Sequence, residues 1–454
     1  MSSTFFQFLI VIITCVIGSR RGGLALGAMS GIGLTLLILV FGLKPGSAPT
    51  DVLLIIIAAV TCSGFMQASG GTTWMLQKAE RLLRRHPQGI TFYAPLCTFF
   101  LTVFCGTGHV IYAIMPIISD IALRQGIRPE RPCAVASIAS QAGIMCSPIS
   151  AAVVSFVAIS EANGFSISIP ELLCTTLPAG ICGILAASSC SLHRGLDLDK
   201  DPRFRRRKAN PDLYNYMYGN HETTLNQPIT REGKIAVGIF IAAILLIVLY
   251  ATCSNLLPSY EHESIIRGNI TTVLEPLAMT TTIQIVLMAA AAMMVVFSKA
   301  DPNKAVNGSV WQSGMVAAVA VYGISWMVNT FFNNHITAIE HLLGAGIAQH
   351  GWLIAFAFII TTMLNNSQAA TIVIIVPLAY RLGVPAPYII GMLPCVYANF
   401  ILPNYASDVA TINFDRSGTT RIGKYYINHS FLMPGFVYMV VATLVAFIIA
   451  YNAF

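Results

Sequence analysis

Charge is what this sequence has least of. Only 10% of its 454 residues are Asp, Glu, Lys or Arg, while 56% are hydrophobic. A soluble protein carries about 25% charged residues, so a water-soluble globular chain is excluded. The stretches 22–43, 170–192, 235–253 and 431–454 each reach the roughly 20 apolar residues that a membrane-crossing helix needs. The polar/apolar alternation of a membrane barrel is missing, which leaves an all-α polytopic membrane protein. No basic region precedes the first apolar run, and a second run follows Arg20-Arg21 at once. Residues 4–18 are therefore expected to form a first membrane helix rather than a cleaved leader. The eleven cysteines include no CxxC pair; scattered among apolar residues, they read as small core hydrophobes. HExxH, GxSxG and paired acidic motifs are absent too, which argues against an intramembrane enzyme. No metal or cofactor is expected.

The charge that is present sits mostly in loops. The net charge is +7, and the basic stretch 194–234 includes Arg203, Arg205, Arg206, Arg207 and Lys208. The positive-inside rule places this stretch in the cytoplasm. A topology signal explains it better than nucleic-acid or lipid binding, so the bilayer is an expected partner and nucleic acid is not. The stretch divides the chain into a membrane half at 1–192, a basic loop at 193–234 and a second membrane half at 235–454. About 12 helices, hairpins included, fit the apolar content, with both termini periplasmic.

The two halves resemble each other. "GTGHVIYAIMPIISDIALRQGIRPERP" (106–132) aligns with "SQAATIVIIVPLAYRLGVPAP" (367–387), Pro116 falling opposite Pro377. Upstream, each unit has a polar-striped helix, 74–86 and 336–350, then an apolar run, 92–105 and 352–364, that stops at a small-polar break. Downstream, each has a further apolar helix ending in a second break, "CSPIS" (146–150) and "LPNYASD" (402–408), Pro148 opposite Pro403. The segments between breaks are about 11 to 14 residues, too short to cross a bilayer alone. They suit broken helices or re-entrant hairpins, whose irregular backbone is tolerated only inside protein or beside a wet cavity. Paired interruptions in two halves point to a transporter's binding site.

The breaks supply neutral donors. The first offers Thr107, Gly108 and His109; the second Ser147, Pro148 and Ser150; the third Asn365, Asn366, Ser367 and Gln368; the fourth Pro403, Asn404, Ser407 and Asp408. Free amides at a helix start bind anions without a fixed cation. Small residues in membrane helices also serve close packing, but four matched clusters are better explained by a site. His109 either contacts cargo or holds a neutral ring against a carbonyl. Asp408, a carboxylate at membrane depth, is a functional candidate by default; the alternatives are pairing with Arg416 and capping a helix. The polar segment 413–431 either returns the chain to the last helix or lines an access path through Arg416, Thr419 and Arg421. Its counterpart in the first half is expected to be "IRPERP" (127–132), whose Arg128 and Arg131 read as topology markers.

With these stretches assembled, the chain resembles the anaerobic C4-dicarboxylate carriers, the Dcu family. The resemblance covers nearly the whole length. It rests on "GSRRGGLALG" (18–27), "LKPG" (43–46), "QASGG" (67–71), "CGTGH" (105–109), "IRPERP", "SPIS", "DLDKD" (197–201), "NSQAA" (366–370), "ILP" with the following "SD", and "FDRSGTTRIGK" (414–424). "RPERP", "GTGH" and "FDRSGTT" look more like the DcuB type than the DcuA type. The resemblance implies a bacterial inner-membrane carrier that exchanges external fumarate, malate or aspartate for internal succinate in anaerobic metabolism. It also implies an ion-transporter-like fold of two inverted repeats, an elevator motion, and a monomer or homodimer. Two positions depart from the DcuB-type pattern: Met363 stands where a lysine precedes the "NSQ" motif, and Asn404 where a threonine precedes "YASD". A carrier of another organic anion coupled to sodium or protons is the alternative; a receptor that binds without transport is a further one.

Overall fold

The computed structural model describes residues 2–20, 23–48, 50–219, 223–253, 256–266, 269–365, 367–402, 405–423 and 428–454. Helices α1 (Ser2–Arg20) and α2 (Gly23–Thr35) come first, α2 tightening into one π turn, Leu36–Val40. Helix α3 (Thr50–Ala68) ends at Gly70, whose φ of 83° turns the chain, and α4 (Gly71–Arg85) leaves at a 68° bend. Then follow α5 (Ile90–Cys105), α6 (Ile111–Arg124), α7 (Glu130–Ala142), α8 (Ala151–Ala162) and α9 (Ile169–Ser191), the last opened by a Ser168/Glu171 capping box. The basic stretch folds into two short helices, α10 (Pro202–Ala209) and α11 (Pro211–Tyr218), capped by Asp201 and Asn210.

The second half begins with α12 (Arg231–Thr252). An antiparallel pair follows, β1 (Ser259–Ile266) and β2 (Asn269–Pro276), with Ile266 opposite Asn269. The remaining helices are α13 (Met279–Phe297), α14 (Pro302–Val306), α15 (Ser309–Gln349), α16 (Ile354–Asn365), α17 (Gln368–Arg381), α18 (Ala386–Gly391), α19 (Ala406–Phe414) and α20 (Leu432–Ala453), with 3-10 turns at Leu393–Ile401 between α18 and α19.

Among the described residues, seven helices are long and apolar enough to cross a membrane. Large apolar side chains such as Leu39, Val296, Leu444 and Ile448 stand outward, more than half exposed, as a lipid-facing surface requires. The chain is a multi-pass membrane protein. Its helices form two packed groups. Helices α1, α2, α3, α12, α13 and α15 pack among themselves, while α5 to α9 pack with one another and with α16 to α20. Each group draws on both halves of the chain. In the first group α2 and α15 touch backbone to backbone: a Cβ on Gly323 would strike the Gly27 carbonyl, the close approach that small residues permit between membrane helices.

The second group holds two hairpins. Helix α6 returns beside α4, and Arg84 Nη2 lies 3.9 Å from Asp120 Oδ2. Arg124 Nη2 donates to the Tyr218 carbonyl at 3.1 Å. Both outer ends of α5–α6 thus lie on the face carrying the basic stretch. Helix α9, a 23-residue spanning helix, carries the chain from residue 169 to that basic face. Residues 163–168 therefore lie opposite, and there the end of α17 meets them: the Tyr380 hydroxyl donates to Ser160 Oγ at 2.9 Å, and the Phe165 and Tyr380 rings are 6.4 Å apart. Helix α16 starts on the same side, since a Cβ on Gly351 would sit 3.1 Å from the Tyr388 ring. Helices α16–α17 enter from the face opposite to α5–α6.

The structure corrects one expectation: residues 336–349 are no separate helix but the end of the 41-residue α15. "IRPERP" and 413–431 are neighbours: the Glu130 amide donates to Thr419 Oγ1 at 3.1 Å. The β1–β2 hairpin was not expected at all; its β-branched run, Ile265, Ile266, Ile270, Thr271, Thr272 and Val273, is the signal that marks it.

Candidate functional site

Helix α5 stops because Gly106 adopts a left-handed φ of 71°. A Cβ there would lie 2.8 Å from Ile149 Cγ1, so the first break rests directly on the second. Thr107 is extended and caps the new helix. Its Oγ1 accepts from the His109 amide at 3.3 Å and lies 2.7 Å from His109 Nδ1. The cap thus takes one of the amides that open the 3-10 turn Gly108–Val110. Gly108 is buried, and a Cβ on it would strike the Gln141 carboxamide and come within 3.0 Å of the Ser140 carbonyl.

At the second break α7 tightens into a 3-10 turn, Gly143–Cys146. Ser150 caps α8, accepting from the Val153 amide at 3.2 Å and donating to the Ile144 carbonyl at 2.6 Å. Ser147 Oγ accepts from the Ile149 amide at 3.4 Å. Ser147, Pro148 and Ser150 are buried, and both hydroxyls are engaged with backbone. At the third break Ser367 caps α17 by accepting from the Ala370 amide at 3.2 Å. Thr362 donates to Thr371 across the hairpin at 2.9 Å. Gln368 reaches out of its own hairpin, its Nε2 donating to the Gln141 carbonyl at 2.9 Å. At the fourth break Asp408, 1% exposed, accepts from the Ser137 hydroxyl at 2.7 Å, and Ser407 Oγ lies 3.5 Å from the same hydroxyl. Asn366, Pro403 and Asn404 lie outside the described residues.

The first and fourth breaks and the end of α7 meet at a small cavity lined by Gly108, His109, Tyr112, Gln141, Tyr405 and Ser407; Ser147, Pro148, Ser150 and Gln368 do not line it. Its volume of about 10 Å³ holds roughly one water molecule. Gly108 and His109 line it as residues named from sequence; Ser407 was named beside Asp408. Tyr112, Gln141 and Tyr405 went unnamed. Tyr112 is one turn beyond His109, their rings 5.6 Å apart, so helical spacing could have flagged it. Gln141 is a lone carboxamide at the end of α7, and polarity in an apolar tract was its only signal. No lysine or arginine lines the cavity among the described residues. Its chemistry is that of helix-end amides, hydroxyls, one imidazole and one carboxamide, a set that binds an anion by donation rather than by ion pairing.

Arg416 and Thr419 lie elsewhere, in a polar clasp on the basic face. Asp415 accepts from the Ser417 hydroxyl, from Thr419 Oγ1 at 2.9 Å and from the Thr420 amide at 2.6 Å. Arg128, 5% exposed, bonds Glu130 and Asp201, each at 2.7 Å. Arg131 bonds Asp197 at 2.9 Å, Ser430 Oγ donates to Glu130 at 2.8 Å, Arg194 donates to the Ser430 carbonyl, and Arg207 donates to the Arg416 carbonyl at 3.1 Å. Burial works against the Asp201 carboxylate. The Arg128 guanidinium and the Arg203 and Phe204 amides outweigh it and hold the pKa below the ordinary aspartate value. Three loops, 126–131, 194–208 and 415–430, are thereby stitched together. Arg128 and Arg131, expected as topology markers, are structural members of this clasp.

Over residues 3–454 the chain matches the family described as "Anaerobic c4-dicarboxylate membrane transporter". The chain belongs to this Dcu family. Among its relatives, the "Anaerobic C4-dicarboxylate transporter DcuB" of Escherichia coli O157:H7 is 42% identical over 447 residues, 98% of each chain. The "C4-dicarboxylate transporter DcuA" of Wolinella succinogenes is 35% identical over 447 residues, again 98% of each. That of Helicobacter pylori is 33% identical over 463 residues, 99% of each. Membership in the Dcu family makes the chain a C4-dicarboxylate transporter, not an enzyme.

Proposed function

We infer that this Dcu family member exchanges C4-dicarboxylates across the bacterial inner membrane, taking in fumarate, malate or aspartate and releasing succinate. The observation that carries the reading is the pair of hairpins entering from opposite faces, with breaks joined through Gln368 and the Gln141 carbonyl. Opposed entry is the signature of inverted repeats. The cross-packing of α6 on α19 and of α17 on α8 supports the same symmetry. One cargo carboxylate meets the Gly108 amide, the His109 ring and the hydroxyls of Tyr112, Tyr405 and Ser407. The other meets the start of α17 at Ser367 and Gln368; Asp408 and Ser137 back the site. A cavity of about 10 Å³ is too small for such cargo, so the described conformation is contracted and loading spreads the hairpins. Movement of the hairpin-bearing group against the α1–α3, α12–α15 group then alternates access. Each chain holds one complete site, as a monomer or within a homodimer. Arg416 and Thr419 act on the access route through the basic-face clasp.

Proteoliposomes loaded with radiolabelled succinate test this. Release is expected only when fumarate is outside. Release that ignores fumarate but follows an imposed sodium or proton gradient would replace exchange with ion-coupled carriage, and no release under either condition would overturn succinate as cargo.

A further inference from the structure

Gln141 lines the cavity and carries a buried acceptor that lacks a donor. Gln141 is 2% exposed, and its Oε1 is buried with no hydrogen-bond partner among the described residues. Gly108, having no Cβ, lets the carboxamide lie against the first break; its Nε2 donates to Ser140 Oγ at 3.5 Å, and Gln368 bonds the Gln141 backbone carbonyl at 2.9 Å. The remaining lining groups, His109, Tyr112, Tyr405, Ser407 and the Gly108 backbone, include the N–H and O–H donors that carboxylates consume. Cargo that offers only carboxylates leaves Oε1 bare, and a bare buried acceptor is unfavourable. Cargo with an N–H or O–H on the carbon between its carboxylates satisfies it. Asp408 lies beside Ser407, buried against Ser137, and no lysine or arginine lines the cavity among the described residues. A carboxyl at that depth suits an ammonium better than a bare dianion.

We propose that Gln141 is the specificity-determining residue for the substituent on C2 of the cargo. Its carbonyl oxygen accepts from the ammonium of a 2-amino C4-dicarboxylate or the hydroxyl of a 2-hydroxy one, and so ranks both above unsubstituted succinate. The inference rests on the transport reading above. A site built to bond a polar group discriminates strongly against cargo that lacks it.

The test is the ratio of initial uptake rates of labelled aspartate and labelled succinate, each at low concentration, into proteoliposomes preloaded with unlabelled succinate. Gln141→Met keeps the side-chain length and removes the acceptor; the aspartate-to-succinate ratio is expected to fall about tenfold, the effect of one lost hydrogen bond to a charged group. Gln141→Glu keeps an acceptor oxygen and adds charge; the ratio is expected to rise by about tenfold through repulsion of the dianion. Gln368→Met loosens the hold on the Gln141 backbone and removes a contact shared by both cargoes, and is expected to slow both alike. Ratios that stay at the wild-type value in both Gln141 variants, or that move in the same direction, overturn the assignment alone. Wild-type protein that takes up neither cargo overturns the transport reading and this inference with it.

Discussion

Gly108→Val is expected to abolish exchange while leaving the protein inserted in the membrane. A valine side chain at this position would occupy the space of the Gln141 carboxamide and press on the Ser140 carbonyl, whose approach to a bare Cβ is already 3.0 Å. Overpacking of this kind costs about 1–3 kcal/mol, less than a membrane bundle of this size needs to unfold. The functional cost is larger because the displaced groups are the cavity wall. The amides at the start of α6 and the Gln141 side chain move together. A binding group displaced by about 1 Å loses roughly 100-fold in rate, and the exchange rate is expected to fall at least that far. Gly164→Ala is the matched control. Its φ of 83° imposes strain, yet a Cβ there meets no atom within 4 Å, so the cost is about 1–2 kcal/mol of backbone strain with exchange retained. Equal exchange by the two variants in proteoliposomes would remove the first break from the site.

Arg128→Ala is expected to be the most damaging single change to stability outside the membrane segments. The guanidinium bridges two carboxylates, and the side chains of Arg128, Glu130 and Asp201 are 6%, 10% and 14% exposed. Removing one partner strands buried charge, which costs about 3–5 kcal/mol, read as a lower unfolding temperature in detergent. Arg128→Lys is expected to recover only part, because one ammonium cannot bond both carboxylates in plane. The pH dependence has a definite sign. The Asp201 carboxyl has a folded-state pKa lowered from 3.8, so its contribution is complete above 3.8 and is lost as the pH falls through the lower folded value. The stability gap between wild type and Arg128→Ala is therefore expected to be flat from neutral pH down to 3.8 and to narrow below it. A gap that narrows between pH 6 and 8 instead would assign the clasp to another pair.

The membrane class and the breaks were legible because each rests on short-range chemistry. Long apolar runs read as helices, and Gly106 reads as a stop because it acts on the backbone within a few residues. The cavity wall was less legible because it is assembled across the chain. Tyr112, Gln141 and Tyr405 come from three separate segments, and nothing local says that they meet. Ser147 and Ser150 show the converse: their hydroxyls suit a site, but the backbone of the same break takes them first. The basic stretch carried two messages at once. Five cations in six residues mark topology by count alone. That Arg207 reaches the Arg416 carbonyl, and that Arg128 is buried between Glu130 and Asp201, depends on loops some 70 to 290 residues apart, a fact of the fold and not of composition.

The most direct measurement is a cryo-electron microscopy map of the purified protein with saturating fumarate. The account predicts ligand density between the two hairpins, within hydrogen-bond distance of the Gly108 amide and Ser407, with α5–α6 and α16–α17 farther apart than in the contracted form. Density at the basic-face clasp, or among α1 to α3 and α12 to α15 with the cavity of Gly108, Gln141 and Ser407 still closed, would contradict it.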